Sequence, residues 1–351
     1  MTIIQEPDSK NNTTLVNEAS RQSGRGARNA STYNILHGIN HRFSGVSPAP
    51  ANQDSVGFTF FTKPVLNLAY NNISGIRKLE FLGDNDPKSM GCAIKSMLSP
   101  YVVRNVPYWD STDNIRSAIV DDHYPFIPLL SNTLLNISGW PDMSPETYTT
   151  DEGIAKESTS WIDGRGDIYN TFDLTANFRN LDGDPVTALM DAWVYYSSKV
   201  AEGAIVPYAE MMVENEIDYM TRIYRLVMNK EQTHVTKIAC TGAAFPFAVP
   251  NGASFNFETT AVVSKENEQI SIPFRCIGAI YNDPIIIREF NDTVEMFQPF
   301  MREENRDKEM TKLKRSELPL FNFKGYPRIE SDNELTWWVT NATYKSMFTE
   351  G

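Results

Sequence analysis

The chain has 351 residues, enough for one large decorated domain or for two or three smaller ones. Its formal net charge is −12, and residues 1–50 carry five basic against three acidic side chains, which leaves −14 for the remainder. An acidic body of this size disfavours a protein that grips nucleic acid, although it suits a surface past which DNA slides without sticking.

The three cysteines are too few and too scattered for a disulfide framework, which indicates a reducing compartment. The first residues lack the basic region and the long apolar run of a signal peptide. No run approaches the roughly 20 apolar residues of a membrane span. We therefore expect no membrane-spanning segment.

Residues 1–53 are rich in Asn, Ser, Gly and Arg, a composition typical of disordered tails. Their slight basicity beside an acidic body also favours an arm that becomes ordered on a neighbouring subunit. Both interpretations remain open: a flexible N-terminal arm, or an arm docked on a neighbour.

The next segment contains one predicted strand and one predicted helix. Val56–Phe61 is predicted as a strand that ends before Pro64. A helix is predicted within Asp84–Met97, with Asp86 as its cap and Pro87 at its first position. The apolar face of that helix comprises Met90, Ala93, Ile94 and Met97.

Residues 99–145 combine six prolines with large apolar side chains. The stretch is too apolar for a linker and too interrupted for regular structure, so we expect ordered loops packed on the body or on a partner. The predicted domain organisation is a β-rich body at 54–292 with a loop-rich insertion over about 72–160, followed by a C-terminal extension at 293–351.

The clearest pattern in the chain is the alternation from Ile168 to Arg179, which predicts a strand with one dry and one wet face. A turn follows, in which Gly183 suits positive φ, Asp184 a helix cap and Pro185 the first helical position. The dry face comprises Phe172, Leu174, Ala176 and Phe178, and the wet face comprises Asp173, Thr175, Asn177 and Arg179.

The turn predicts a helix that ends near Gly203. Its apolar residues recur at the i, i+3, i+4 spacing of a buried stripe. They are Val186, Leu189, Met190, Trp193 and Val194. A strand is predicted next over Asp218–Asn229, with Met220, Tyr224, Leu226 and Met228 on one side.

Short strands are predicted at Val235–Cys240, Ala253–Glu258, Ile270–Cys276 and Ile285–Ile287. Because proline cannot donate to a ladder, Pro273 places its strand at an edge or a bulge. The mixed-charge stretch 300–317 predicts a solvated helix face or an inter-subunit ion-pair element. Trp337 and Trp338 need a surface to bury against.

Candidate catalytic or metal-binding residues are sparse. Asp121-Asp122-His123 brings ligand types together, but only Asp121 and His123 could converge in a strand, and no second cluster completes a site. A surface turn before Tyr124 is therefore the favoured interpretation. Cys92 with His123 as nucleophile and base is the alternative.

Other chemistry has equally little support in the sequence. Trp161–Asp167 and Asp182–Asp184 lack the ligand spacing of a calcium loop and are interpreted as turns. A glycosidase carboxylate pair would be spatial, and nothing local nominates one. His37 and His41 lie in the polar arm. We expect no catalytic, cofactor-binding or metal residues, and no cofactor.

The order of the elements resembles that of the tube proteins of contractile-tailed phages, and it is similar to type VI secretion tubes and baseplate tube initiators. The likeness covers about a third of the chain. It lies on Asp173–Tyr196, Met220–Met228, Val235–Cys240, Ala244–Pro246 and Ser254–Glu258.

The resemblance implies a mainly β (α+β) fold, with two packed antiparallel sheets that nearly form a barrel and one flanking amphipathic helix. It implies hexameric rings that stack into a tail tube, beside sheath and baseplate or neck proteins. It also implies a virion tail protein, assembled in the bacterial cytoplasm, that is not an enzyme. DNA would pass an acidic lumen without specific binding, and the wet face of Ile168–Arg179 is the candidate lumen wall.

The chain is much longer than simple tube subunits. Its extra length leaves three alternatives within the same structural class: a tube-like baseplate initiator, a tail completion protein, or a head–tail connector. A virion-associated glycan or cell-wall hydrolase is the alternative from a different class.

Overall fold

The computed structural model describes residues 54–84, 86–100, 117–214, 217–252, 255, 269–322 and 324–349. The predicted N-terminal arm and, apart from Phe255, the predicted strand Ala253–Glu258 lie outside these residues.

The strands are β1 (Ser55–Phe61), β2 (Leu134–Ser138), β3 (Thr147–Thr149), β4 (Ser160–Ile162), β5 (Ile168–Arg179), β6 (Ile223–Met228), β7 (Val235–Pro246), β8 (Gln269–Tyr281), β9 (Met310–Lys312), β10 (Tyr326–Ile329) and β11 (Leu335–Thr340). The α-helices are α1 (Tyr70–Ile73), α2 (Met90–Leu98), α3 (Pro128–Thr133), α4 (Pro185–Ala201), α5 (Ala209–Glu214), α6 (Pro284–Phe297), α7 (Glu303–Glu309) and α8 (Asn341–Thr349). Short 3₁₀ helices cover Arg77–Gly83 and Pro299–Met301.

The main sheet has six antiparallel strands in the order β1-β6-β7-β8-β5-β2. It is barrel-like because the end of β1 is linked to the segment that leads into α3 and β2. The Lys63 amide donates to the Pro125 carbonyl at 2.9 Å, and the Ile127 amide donates to the Phe61 carbonyl at 2.8 Å. Smaller antiparallel sheets join β10-β11-β9 and β3-β4. The predicted mainly β, α+β fold with packed antiparallel sheets is confirmed.

One face of the main sheet packs on α4 and α2. Leu174 and Phe178 of β5 are fully buried there with Leu189 and Trp193 of α4. The Trp193 indole nitrogen donates to the Tyr219 carbonyl at 2.9 Å, so the ring is buried with its polar atom satisfied.

The other face is covered by α6 and the β10-β11-β9 sheet. Phe290 of α6 lies 5.4 Å from Phe60 and 5.2 Å from Phe126, centroid to centroid. Trp338 of β11 is buried in the same cluster. Helices therefore lie on both faces of the sheet, α4 and α2 on one and α6 on the other, whereas the sequence predicted one flanking helix.

Several predictions at the centre of the chain are confirmed. β5 has the predicted bounds, and its dry-face side chains 174, 176 and 178 are buried. α4 begins at Pro185, and Gly183 has a φ of +84°. Asp184 occupies the N-cap position, but its backbone is left-handed and its side chain does not cap. Its carboxylate accepts instead from the Asn180 side-chain amide.

Two helix predictions were wrong in detail or in kind. α2 starts at Met90 and is capped by Ser89, whose hydroxyl accepts from the Cys92 amide at 3.1 Å; Asp86 is not the cap. The predicted strand Ile285–Ile287 is the first turn of α6. Asp283 caps this helix by accepting from the Ile285 amide at 2.9 Å, and an N-terminal proline follows.

The strand boundaries also differ from prediction. β6 begins at Ile223 instead of Asp218, while β7 and β8 extend further than expected. β8 is a central strand, so the edge position predicted from Pro273 was wrong. Pro273 is tolerated because it faces the end of β7, where its carbonyl accepts from the Phe247 amide at 3.3 Å.

The proline-rich stretch 99–145 is more regular than predicted in its described part. It contains α3 and the edge strand β2, which pairs with β5. The mixed-charge stretch 300–317 contains α7 and then β9. Most of α7 is exposed, as predicted for a solvated helix, but the Arg306 guanidinium lies 5.3 Å from the centre of the buried Trp338 ring.

Candidate functional site

The Asp121–His123 segment is a turn whose groups bond to the surrounding protein. The Asp121 carboxylate accepts from the Tyr326 hydroxyl at 2.6 Å and from the His123 amide at 2.9 Å. The Asp121 carbonyl accepts from the Lys63 ammonium, also at 2.9 Å. Asp122 is buried, so the prediction of a surface turn was wrong at that residue.

The structure gives little support to Cys92 and His123 as a nucleophile and base. A ring nitrogen of His123 lies 3.1 Å from the Phe297 carbonyl. Cys92 is buried, and burial raises the pKa of its thiol, whereas a nucleophilic cysteine needs a lowered pKa. Across the described ranges, no three His, Cys, Asp or Glu side chains are grouped as metal ligands.

Two buried thiols and one buried ammonium also have strongly shifted pKa values. Burial raises the pKa of Cys240 and of Cys276 to about 12, which makes both thiols inert. Burial lowers the pKa of Lys63 to about 8, although Asp122 and Asp121 act in the opposite direction. Lys63 thus joins the end of β1 to the Asp121 turn at the point where the sheet nearly closes.

The wet face of β5 carries polar cross-strand pairs. The Asp173 carboxylate pairs with the Arg275 guanidinium of β8 at 2.5 Å. The Asn177 amide donates to the Asn136 carbonyl oxygen of β2 at 2.7 Å. This face is polar, as predicted, but whether it lines a lumen remains a prediction.

The β3–β4 hairpin is the most exposed ordered feature in the described chain. All six of its strand residues are exposed, and so is every residue from 151 to 165. The Tyr148 and Trp161 rings pack together at 4.9 Å, yet each side chain is 49% exposed. Trp161 is thus in a strand instead of the turn that the sequence predicted.

The hairpin is attached to the body only at its base, as far as the described residues show. The Tyr281 hydroxyl donates to the Pro141 carbonyl at 2.6 Å, and Trp140 packs against Tyr281 and Phe172. Every described hydrogen bond of residues 146–163 stays within the hairpin. Isolated two-stranded hairpins are marginally stable in water. A hairpin as exposed as this one would therefore be stabilised by a surface that covers it.

A second surface feature is a basic pocket of about 610 Å³ beside α4. Its cationic side chains are Arg77, Lys78 and Lys199, and Tyr195 lies between the two lysines. The Lys78 ammonium is 4.8 Å and the Lys199 ammonium 5.3 Å from the centre of the Tyr195 ring. Lys78 also pairs with Asp191 at 2.8 Å, and Lys199 pairs with Glu202 at 2.5 Å.

Sequence reasoning missed both surfaces. Tyr148, Trp161 and Ile162 were a detectable signal for the hairpin, because three large apolar residues occur there among acidic ones. The pocket had no such signal, since Arg77 and Lys199 come from distant segments. Within the described residues, no helix is long and apolar enough to cross a membrane.

Two solved structures are similar over part of the chain. A cap of the anti-feeding prophage, described as a tube terminating cap, is 13% identical, with a TM-score of 0.27, and the match covers 45% of this chain and 82% of the cap. The sheath/tube terminator of the PVC extracellular contractile injection system, in its extended state, is 12% identical, with a TM-score of 0.26. That match covers 45% of this chain and 88% of the terminator. At TM-scores this low, neither likeness carries an argument about this chain.

Comparison with curated proteins gives no match. A family model described as "Putative phage tail tube protein" matches residues 5–351, which is nearly the whole chain. The chain therefore belongs to this phage tail tube protein family, whose members are structural proteins of the virion tail.

Proposed function

We propose that this protein is the repeating subunit of a phage tail tube, in which hexameric rings stack into a channel for the genome. The observation that carries the proposal is the family match over residues 5–351. In this proposal the protein acts by self-assembly and performs no bond-breaking chemistry. Its acidic body, at −14 outside residues 1–50, suits a channel through which DNA moves without specific binding.

The exposed features of the fold also support assembly. β1 and β2 are edge strands, and edge strands readily pair with another chain. The β3–β4 hairpin exposes aromatic side chains that a monomer leaves in water. The raised thiol pKa values and the occupied His123 nitrogen offer no support for a hydrolase.

Electron microscopy and light scattering of the purified full chain test the proposal. We expect rings or tubes that form with increasing concentration. A protein that stays monomeric at every concentration, with no ring in images, contradicts self-assembly. Release of soluble sugar or peptide from cell walls, abolished by replacing one carboxylate, would favour the hydrolase alternative.

Copy number in the virion distinguishes a tube subunit from an initiator, completion or connector protein. A tube subunit is among the most abundant tail proteins, whereas the others occupy about one or two rings. Quantitative mass spectrometry of purified virions measures this number. Deleting residues 1–50 tests the arm: we expect an intact fold with impaired stacking or docking, and unchanged assembly would contradict that role.

A further inference from the structure

The hairpin and the basic pocket are complementary in charge and in chemistry. Residues 146–167 carry six acidic and two basic side chains, a balance of −4, around the exposed Tyr148–Trp161 pair. The pocket is lined by three cations, of which Lys78 and Lys199 pair with Asp191 and Glu202 while Arg77 has no ion-pair partner among the described residues. The hairpin therefore supplies carboxylates and the pocket supplies cations, and both surfaces carry an aromatic side chain.

We propose that the β3–β4 hairpin of one copy docks in the Tyr195 pocket of a neighbouring copy. This inference rests on the proposed function, because it names the contact through which identical copies join. The occupant is a second copy of this chain, and the charge complementarity between the two surfaces is the reason.

The pocket side includes a cation that an incoming carboxylate can pair with. Arg77 is exposed and has no ion-pair partner among the described residues. Asp191, which pairs with Lys78, also accepts from the Asn251 amide at 2.9 Å, so Lys78 shares this carboxylate. An incoming carboxylate would meet Arg77 directly and the two lysines beside it.

The hairpin side supplies several carboxylates near its tip. Asp151, Glu152 and Glu157 lie between the two strands and are exposed. Docking would cover the face that carries Tyr148 and Trp161, each of which is 49% exposed in the single chain. Burial of this apolar surface would stabilise a hairpin that no other part of the described chain covers.

Charge reversal in the full chain tests the contact. One variant carries Glu152→Lys with Glu157→Lys, and a second carries Arg77→Glu with Lys199→Glu. We expect each variant to raise the concentration needed for half-maximal association by about tenfold or more, because like charges then face each other. The variant that combines all four changes restores attraction with inverted signs, and we expect association to recover.

A matched control reverses two acidic residues elsewhere. Glu303→Lys with Glu304→Lys gives the same charge change on the exposed helix α7, and we expect association like that of the wild type. Sedimentation velocity measures association for all variants, and circular dichroism verifies that each one folds. Equal weakening by the control, or no recovery in the fourfold variant, overturns the proposal.

Chemical cross-linking provides a measurement that does not depend on charge. Asp151→Cys protein is mixed with Arg77→Cys protein and treated with a short bis-maleimide, and the three native cysteines are buried. We expect a mixed dimer from this pair and none from Arg77→Cys with Glu303→Cys. If the wild type assembles but the two cysteine variants give no mixed dimer, this contact is overturned and the proposed function stands. If the wild type never associates, both this contact and the proposed function are overturned.

Discussion

The tryptophan of helix α4 is buried, whereas the tryptophan of the β3–β4 hairpin is exposed. Trp193 of α4 is fully buried, and its indole nitrogen donates to a backbone carbonyl. Trp161 of the hairpin is half exposed and packs only on Tyr148 among the described rings. The difference teaches that one aromatic residue stabilises the single chain, while the other gains little until another surface covers it.

The largest expected effect is on the buried side of this comparison. Trp193→Ala should lower the free energy of unfolding by about 3–5 kcal/mol, because it leaves a cavity in the core. The Tyr219 carbonyl would also lose its donor. Denaturant titration followed by circular dichroism measures the change.

Trp161→Ala is the matched substitution in the hairpin. We expect it to change the unfolding free energy of dilute protein by about 0.5 kcal/mol or less, in line with other surface changes. It should instead weaken association at high concentration. A cost near that of Trp193→Ala would mean that the hairpin is already packed in the single chain.

Lys63 extends the comparison to a buried charge, and its effect depends on pH. Its pKa falls from 10.5 in the unfolded chain to about 8 in the folded one. Between these values the unfolded chain binds more protons, so this residue makes stability rise with pH. Between pH 8 and pH 10, we expect the free energy of unfolding of the wild type to rise by about 2 kcal/mol relative to that of the Lys63→Met variant.

The quantity to measure is the difference in unfolding free energy between the wild type and the Lys63→Met variant. The buried thiols change the stability of each protein with pH in the opposite direction to Lys63. Their raised pKa values keep them protonated in the folded state, so they lower stability as pH rises past 9. These contributions cancel when wild type and variant are compared at each pH. A difference that does not change with pH would show that Lys63 is solvated.

The cap of α6 gives a smaller effect. Asp283→Ala should cost about 1 kcal/mol, since the Ile285 amide loses its acceptor at the helix start. Asp182→Ala is the control, because Asp182 is exposed and its side chain makes no hydrogen bond among the described residues. Thermal unfolding monitored at one pH compares them, and an equal loss from both would contradict the assigned caps.

The smallest expected response is that of the cysteines. All three are buried with raised pKa values, so we expect no reaction with a thiol reagent near pH 8 until the protein unfolds. Ellman's reagent with and without denaturant measures this. Fast modification of Cys92 in folded protein would restore it as a candidate nucleophile.

Sequence patterns predicted the parts of the fold that are stabilised by one regular face. The alternation in β5 and the stripe in α4 match burial, except that Phe172 and Val194 are only partly buried, because each element has a dry side against a continuous core. Ile285–Ile287 was misassigned because three residues are too short to distinguish strand from helix. The cap signal of Asp283 and Pro284 distinguishes the two, and the strand prediction did not use it.

The pocket, the strand β2 and the exposure of Trp161 were not predicted, for a different reason. The pocket depends on Arg77 and Lys199 approaching Tyr195, and this approach follows from tertiary packing. β2 was missed because only one of its two sides has a partner strand and most of its residues are partly or fully exposed. Exposure of Trp161 likewise depends on where the body ends, which local composition does not encode.

The hairpin and the pocket are different surfaces on one polypeptide, and this asymmetry has a consequence for growth. If this contact joins one ring to the next, copies joined through unlike surfaces all point the same way, so the stack has polarity. One terminus would present acidic aromatic hairpins, and the opposite terminus would present empty basic pockets. Two chemically distinct stopper proteins would then be needed, one for each terminus.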